Sequence, residues 1–329
     1  MQGGLRGFDS CGAGDAGSWV ITAPNVKPKA IVHFLGGAFA GAAPQLLYGL
    51  LLECVAAAGY TVIATPYAVT FKHLDCAKRV HQQFNDSLSE LRGSPGSRSL
   101  APEGLPIVGL GHSNGSLLHL LIGSTESTAT TSNVLMSYNN KQVGDAIPVP
   151  GLLGTLAPSV LYARTALPSL PLPSSSQLLQ QAAALLPSFL NIDEGGQLSR
   201  AALALDQLGL VVGEVGDGAT DFEPSPSGSR QLVSASYQIP STLLIRFYDD
   251  GIDETMEMDA ILKEKDPSKV NRLILPGSHV TPCGGDIKWQ PGAQFSVQDA
   301  VGQLVKSQLQ ADVRRLSKNV IQWFDAAIV

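Results

Sequence analysis

Charge is scarce in this chain of 329 residues: Asp, Glu, Lys and Arg make up 15% of it, against the roughly 25% usual for soluble proteins. The 22 basic and 28 acidic residues leave a formal charge of −6, and no basic run occurs. The electrostatic footprint of a phosphate backbone is missing, so nucleic acid is not expected as a partner. Cysteine is nearly absent. Cys11, Cys54, Cys76 and Cys283 are too sparse for a disulfide framework, and no Cys-x-x-Cys pair suggests a metal site, which favours a reducing compartment. No apolar run approaches the 18 or so residues of a spanning helix, and Met1 to Ser18 carries neither the apolar segment of a secretory signal nor the Arg/Ser-rich character of a transit peptide.

What the chain does have is apolar residues, 44% of the total, with 34 glycines and 21 prolines to interrupt them. Residues 1–17 hold six glycines and no periodicity, and read as a flexible leader. Strand-length apolar runs then alternate with helical patterns: Trp19 to Thr22, Ala30 to Leu35, a helix from Pro44 to Ala58, a strand from Tyr60 to Ala64, an amphipathic helix from Lys72 to Arg92, and a strand from Pro106 to Leu110. This rhythm predicts an α/β fold, a mostly parallel sheet with helices on both faces, because parallel neighbours need crossover connections. Val134 to Tyr138 adds a strand, and the pattern resumes only at Thr242 to Phe247, Val270 to Leu275 and a final helix from Val297 to Ala326.

A core divided into residues 18–145 and 241–329 by an inserted cap at 146–240 follows. Residues 151–190 contain twelve leucines and five prolines but one charged side chain, Arg164. That composition predicts short helices with extended links lying on an apolar partner. Residues 216–230, with their Pro-Ser-Pro-Ser-Gly-Ser run, read as a mobile loop.

Gly111-His112-Ser113-Asn114-Gly115 lies directly between a strand and a helical run. A serine on so sharp a turn needs small residues two positions before and after it, and its hydroxyl then stands clear of the sheet's C-terminal edge. Ser113 is therefore the candidate nucleophile. A serine hydroxyl needs a base, and the base needs an orienting group. Tyr248-Asp249-Asp250-Gly251-Ile252-Asp253 follows one late strand, and Pro276-Gly277-Ser278-His279 follows the next. Asp250 is the first choice for the orienting acid, ahead of Asp253 and Asp249, and His279 is the natural base. His112 flanks the nucleophile and cannot easily fold back on it, which leaves it, with Phe39, as a candidate for substrate contact. Oxyanion donors are expected from the Asn114 amide and from the glycine-rich turn His33 to Gly41, with Ala38 first and Gly37 and Phe39 beside it. That turn matches neither dinucleotide nor Walker spacing. Neither cofactor nor metal is called for.

On these residues the chain resembles the α/β-hydrolase superfamily over about residues 18–329. The stretch Ile31 to Gln45, with Gly59-Tyr-Thr-Val-Ile-Ala-Thr-Pro66 and the Asp-Asp-x-Ile-Asp-Glu turn, is similar to a hydrolase-like family of plants, algae and cyanobacteria. This resemblance implies a serine-hydrolase fold and a chloroplast or cyanobacterial cytoplasmic setting. It carries Ser113 and His279 over directly and the acid less directly, since Gly251 and Asp253 stand where many relatives have Pro and an apolar residue. The Gly111 to Gly115 elbow is also similar to that of chlorophyllases, with Asn114 and Ser116 departing from the Arg and Gly of the plant form.

The expected function is a serine-type carboxylic-ester hydrolase whose hydrophobic small-molecule substrate has a large apolar portion, such as an acyl lipid or a chlorophyll-type phytyl ester. The other class open at this point is a non-catalytic binding or assembly protein on the same scaffold. Peripheral membrane contact through the Leu/Pro-rich stretch stays open, although that stretch lacks the basic face of interfacial helices. Tyr138-Asn139-Asn140 has no role assignable from sequence.

Overall fold

Apolar runs too even to show an inside and an outside become strands buried on both faces. In the computed structural model, which describes residues 8–11, 17–38, 40–93, 100–141, 221–283 and 297–328 with positions 210, 213, 214 and 219, eight strands form one sheet. They are β1 (Phe8–Cys11), β2 (Ser18–Ile21), β3 (Ala30–Leu35), β4 (Tyr60–Ala64), β5 (Ile107–His112), β6 (Thr130–Met136), β7 (Ser241–Phe247) and β8 (Val270–Leu275), in the order β1-β2-β4-β3-β5-β6-β7-β8. From β4 to β8 every pairing is parallel, and β2 and β1 add antiparallel strands at the β4 edge. The helices described in full are α1 (Pro44–Leu47), α2 (Gly49–Ala57), α3 (His73–Gly93), α4 (Asn114–Thr125), α5 (Pro226–Ser236), α6 (Thr255–Lys265) and α7 (Val297–Ala327). This is the α/β-hydrolase fold.

Alternation along β3 sorts the core. Ala30, Val32 and Phe34 join the cluster that contains Leu51, Leu52 and Val55 of α2 and Val313, Leu316 and Val320 of α7. Ile31 faces Phe84 and Leu88 of α3, and Leu35 faces Leu117 and Leu121 of α4. Helices thus cover both faces, as a parallel sheet requires. The long final helix is further tied down by polar contacts, Trp323 Nε1 donating to Ser132 Oγ at 2.9 Å and Asp325 accepting from Lys29 and the Tyr60 hydroxyl at 2.8 and 2.7 Å.

Three expectations change. Residues 8–11, placed in a flexible leader, pair with β2 from Phe8 opposite Ile21 to Cys11 opposite Ser18; four residues are too few to display a period. The expected helix from Pro44 to Ala58 is interrupted at Tyr48, whose backbone leaves helical geometry. The Pro-Ser-Pro-Ser-Gly-Ser run enters α5 instead of a loop, because Ser225 accepts the Gly228 amide at 3.2 Å and Pro226 takes a first-turn position where its missing N–H costs nothing. The greater part of the expected cap, including the leucine-rich stretch 151–190, lies outside the described residues, and its C-terminal end, α5, packs on α4 and α6.

Candidate active site

Ser113 sits between β5 and α4 with φ 53° and ψ −119°, a backbone geometry that costs a non-glycine residue about 1–3 kcal/mol. Its surroundings impose it. The Ser113 N–H donates to Met136 O at 2.9 Å, and the Ser116 hydroxyl donates to the same carbonyl at 3.0 Å. A Cβ on Gly111 would lie 2.8 Å from Gly115 O, and one on Gly115 would press on Leu35 O and lie 2.5 Å from Gly36 O. Those obstacles are main chain and cannot swing aside. Gly115→Ala is therefore expected to destabilise the fold by about 3 kcal/mol or more; urea unfolding with a midpoint equal to wild type would contradict the close approach.

The Ser113 hydroxyl lies 2.9 Å from His279 Nε2, and His279 Nδ1 lies 2.8 Å from Asp250 Oδ2. A carboxylate can only accept, so Nδ1 carries the ring proton and Nε2 is left to accept from the serine. The Asp250 side chain is fully buried, whereas that of His279 is 21% exposed. Burial works against the Asp250 charge, but its hydrogen bond and attraction to His279 prevail and hold the carboxyl below its ordinary range. Of the other two acids, Asp249 is exposed. Asp253 accepts the Thr255 amide and hydroxyl at 3.1 and 2.6 Å and lies 3.4 Å from Arg246, and burial raises its carboxyl. Only Asp250 among the three meets the histidine.

Register brings these loops together. β7 and β8 pair Phe247 with Leu275, so the acid and histidine loops leave the sheet side by side, and the Tyr248 and Asp249 amides donate to Leu275 O and Gly277 O. Thr281 closes the histidine turn by accepting the Ser278 amide at 2.8 Å. Tyr138-Asn139-Asn140 supports the far end of the acid loop: the Tyr138 and Asn140 amides donate to Thr255 Oγ1 and Glu254 Oε2, and the Glu254 amide donates to Tyr138 O. Sequence gave no hint of that role, since each partner lies over a hundred residues away.

Leu35 at the end of β3 pairs with Gly111 of β5, so the glycine-rich turn meets the elbow. A Cβ on Gly37 would lie 3.2 Å from Ser113 Cβ. Two expectations fail here. Gly37 cannot supply an oxyanion donor, because its N–H already donates to the Tyr48 hydroxyl at 2.7 Å. His112 cannot contact substrate, because it is buried with Nδ1 2.8 Å from the Tyr48 hydroxyl and Nε2 2.8 Å from His279 O. Among the described residues the amides of Ala38 and Asn114 have no acceptor, the latter as the first N–H of α4. Phe39 lies outside the described residues. Tyr48 and Tyr67, whose hydroxyl donates to Gly36 O at 2.6 Å, are the site residues that sequence reasoning missed. Nothing local marks a tyrosine in a helix or after a strand as a loop anchor. Among the described residues no cluster of His, Cys, Asp and Glu could hold a metal ion.

Comparison with solved structures gives matches at low identity. A soluble variant of monoglyceride lipase from Saccharomyces cerevisiae matches with a TM-score of 0.53 and 12% identity, covering 97% of this chain and 96% of its own. An esterase from Thermogutta terrifontis matches with a TM-score of 0.49 and 11% identity, covering 97% and 98%. The thioesterase domain from the curacin biosynthetic pathway matches with a TM-score of 0.48 and 14% identity, covering 91% and 99%. At 12% identity the likeness to the lipase concerns the fold alone. A search of curated proteins finds no match. The family model described as "Protein of unknown function (DUF1350)" matches residues 15–326, and the chain belongs to that family.

Proposed function

We propose that the protein is a serine-type carboxylic-ester hydrolase. The observation that carries this reading is the unbroken hydrogen-bond line from the Ser113 hydroxyl through His279 to the buried Asp250 carboxylate, 2.9 and 2.8 Å long. In the proposed reaction His279 Nε2 takes the hydroxyl proton as Ser113 Oγ attacks the ester carbonyl. The Asn114 and Ala38 amides hold the resulting oxyanion, and the imidazolium, steadied by Asp250, returns its proton to the departing alkoxide. Water then repeats the sequence on the acyl-serine and restores the hydroxyl. Neither metal nor organic cofactor enters this chemistry.

The reading of the substrate as an ester with a large apolar portion, an acyl lipid or a phytyl ester of a chlorophyll-type pigment, draws on the leucine-rich, almost uncharged stretch 151–190. An apolar wall gains about 25 cal/mol per Å² of ligand surface it dehydrates.

A fluorophosphonate probe tests the reading. It is expected to label the wild type and not Ser113→Ala, and Ser113→Ala is expected to lose p-nitrophenyl ester turnover with it. A folded wild type that is neither labelled nor active would favour a binding protein that keeps the hydrolase scaffold. Run along an acyl series, the same assay is expected to favour long chains; a preference for acetate would contradict the apolar portion.

A further inference from the structure

The chemistry proposed above leaves His112 and Tyr48 without a part, yet both are buried against the site. His112 Nε2 is 2.8 Å from His279 O, His112 Nδ1 is 2.8 Å from the Tyr48 hydroxyl, and the Gly37 N–H donates to that hydroxyl at 2.7 Å. The direction of each link is forced. A carbonyl oxygen only accepts, so Nε2 must carry the ring hydrogen. Burial keeps the ring neutral, with its pKa pushed down to about 3. Nδ1 therefore offers a lone pair, Tyr48 donates to it, and the Tyr48 oxygen is left to accept from Gly37.

Gly37 N–H and Gly36 C=O are the two ends of one peptide unit. The second end takes the Tyr67 hydroxyl at 2.6 Å, and Tyr67 in turn accepts from Asn114 Nδ2 at 3.3 Å. One peptide plane is clamped at both ends, and the next amide along the chain is that of Ala38. From these contacts we infer that Tyr48 and His112 are positioning residues that fasten the main chain of the His279 loop to the peptide aiming the Ala38 amide, so that base and oxyanion donor keep one geometry about Ser113. Neither side chain touches the reacting atoms in this arrangement. The inference rests on the ester-hydrolase reading for its effect on rate, but the linkage itself is a property of the fold.

Misplacing a reacting group by about 1 Å costs on the order of a hundredfold in rate. Tyr48→Phe is expected to lower kcat ten- to a hundredfold while KM stays within about threefold, since the ester binds before the oxyanion forms. His112→Leu is expected to do the same. His112→Gln, whose carboxamide offers one donor and one acceptor at similar reach, is expected to recover most of the loss. A second measurement needs no turnover: in Tyr48→Phe the ring signals of His279 in a carbon–proton NMR spectrum are expected to shift, although the two side chains share no hydrogen bond. An unchanged kcat in Tyr48→Phe, a loss carried by KM alone, or His279 signals superimposable on wild type would overturn the inference. If His112→Leu does not fold, Tyr48→Phe and His112→Gln decide it. If the wild type neither turns over esters nor takes the fluorophosphonate, the hydrolase reading fails and the NMR comparison alone decides the linkage.

Discussion

Replacing His279 by alanine is expected to lower p-nitrophenyl ester turnover by ten-thousand-fold or more, with little change in KM. The size follows from what the ring does in the proposed chemistry. Without it the Ser113 hydroxyl has no acceptor among the described residues, and nucleophile and base of such a unit fail together, each single loss costing on the order of 10^4 to 10^6. Asp250→Asn is expected to cost about 10^3 to 10^4. An amide in place of the carboxylate can donate to Nδ1, which invites the tautomer whose Nε2 bears the hydrogen and can no longer accept from serine. Asp253→Asn is expected to act on unfolding and not on kcat, since that carboxyl is committed to Thr255 and faces Arg246. Turnover equal to wild type in His279→Ala would remove His279 from the chemistry whatever its distance to Ser113.

The fold was legible because a parallel sheet leaves a strong trace. Its inner strands Ala30–Leu35 and Tyr60–Ala64 are apolar on both sides and buried at every position, and helical periodicity fills the crossovers between strands. The elbow was legible for a steric reason: Gly111 and Gly115 stand where any Cβ would meet main chain, and such demands are written as glycine. Asp250 and His279 could be nominated because strand ends gather in such sheets, yet three acids share one turn and only the folded geometry separates the one facing His279 from the one bound to Thr255. The fate of single amides was out of reach. Whether the Gly37 N–H is free depends on a tyrosine eleven residues away whose hydroxyl also needs His112, and no local pattern encodes a hydrogen bond between side chains brought together by packing. The start of α5 was legible in principle, since Ser225 followed by Pro226 is a helix-start signal; the surrounding prolines and serines concealed it.

The same packing that builds the site buries four histidines, and this sets the second large effect. His33 lies stacked on Phe84 at 4.2 Å and edge-on to His119 at 5.0 Å, with Gly109 leaving room beneath for Asn133 and His119. His73 is stacked on Phe222 at 4.4 Å. Burial is the leading cause in every case: it holds His33 well below its ordinary range, His73 and His119 at about 4, and His112 at about 3. The unfolded chain takes up protons at these rings as the pH falls through about 6.5, and the folded chain does not. Stability that is fully present above that value is therefore lost progressively on the way down to about 4, at about 1.4 kcal/mol per pH unit for each ring.

Four rings acting together would remove about 5.5 kcal/mol over a single unit, comparable to the whole stability of many domains. Asp253, whose carboxyl burial raises, opposes this only near the carboxylate range, and the contribution of Asp250 is lost only below it. The expected result is a steep fall in Tm between pH 6.5 and 5. His73→Phe keeps an aromatic ring against Phe222 and removes one titrating group, so the pH dependence of unfolding free energy is expected to flatten by about 1.4 kcal/mol per unit in that window. A Tm that stays level from pH 6.5 to 5, or a His73→Phe slope equal to wild type, would mean that these rings are charged or solvated in the folded chain.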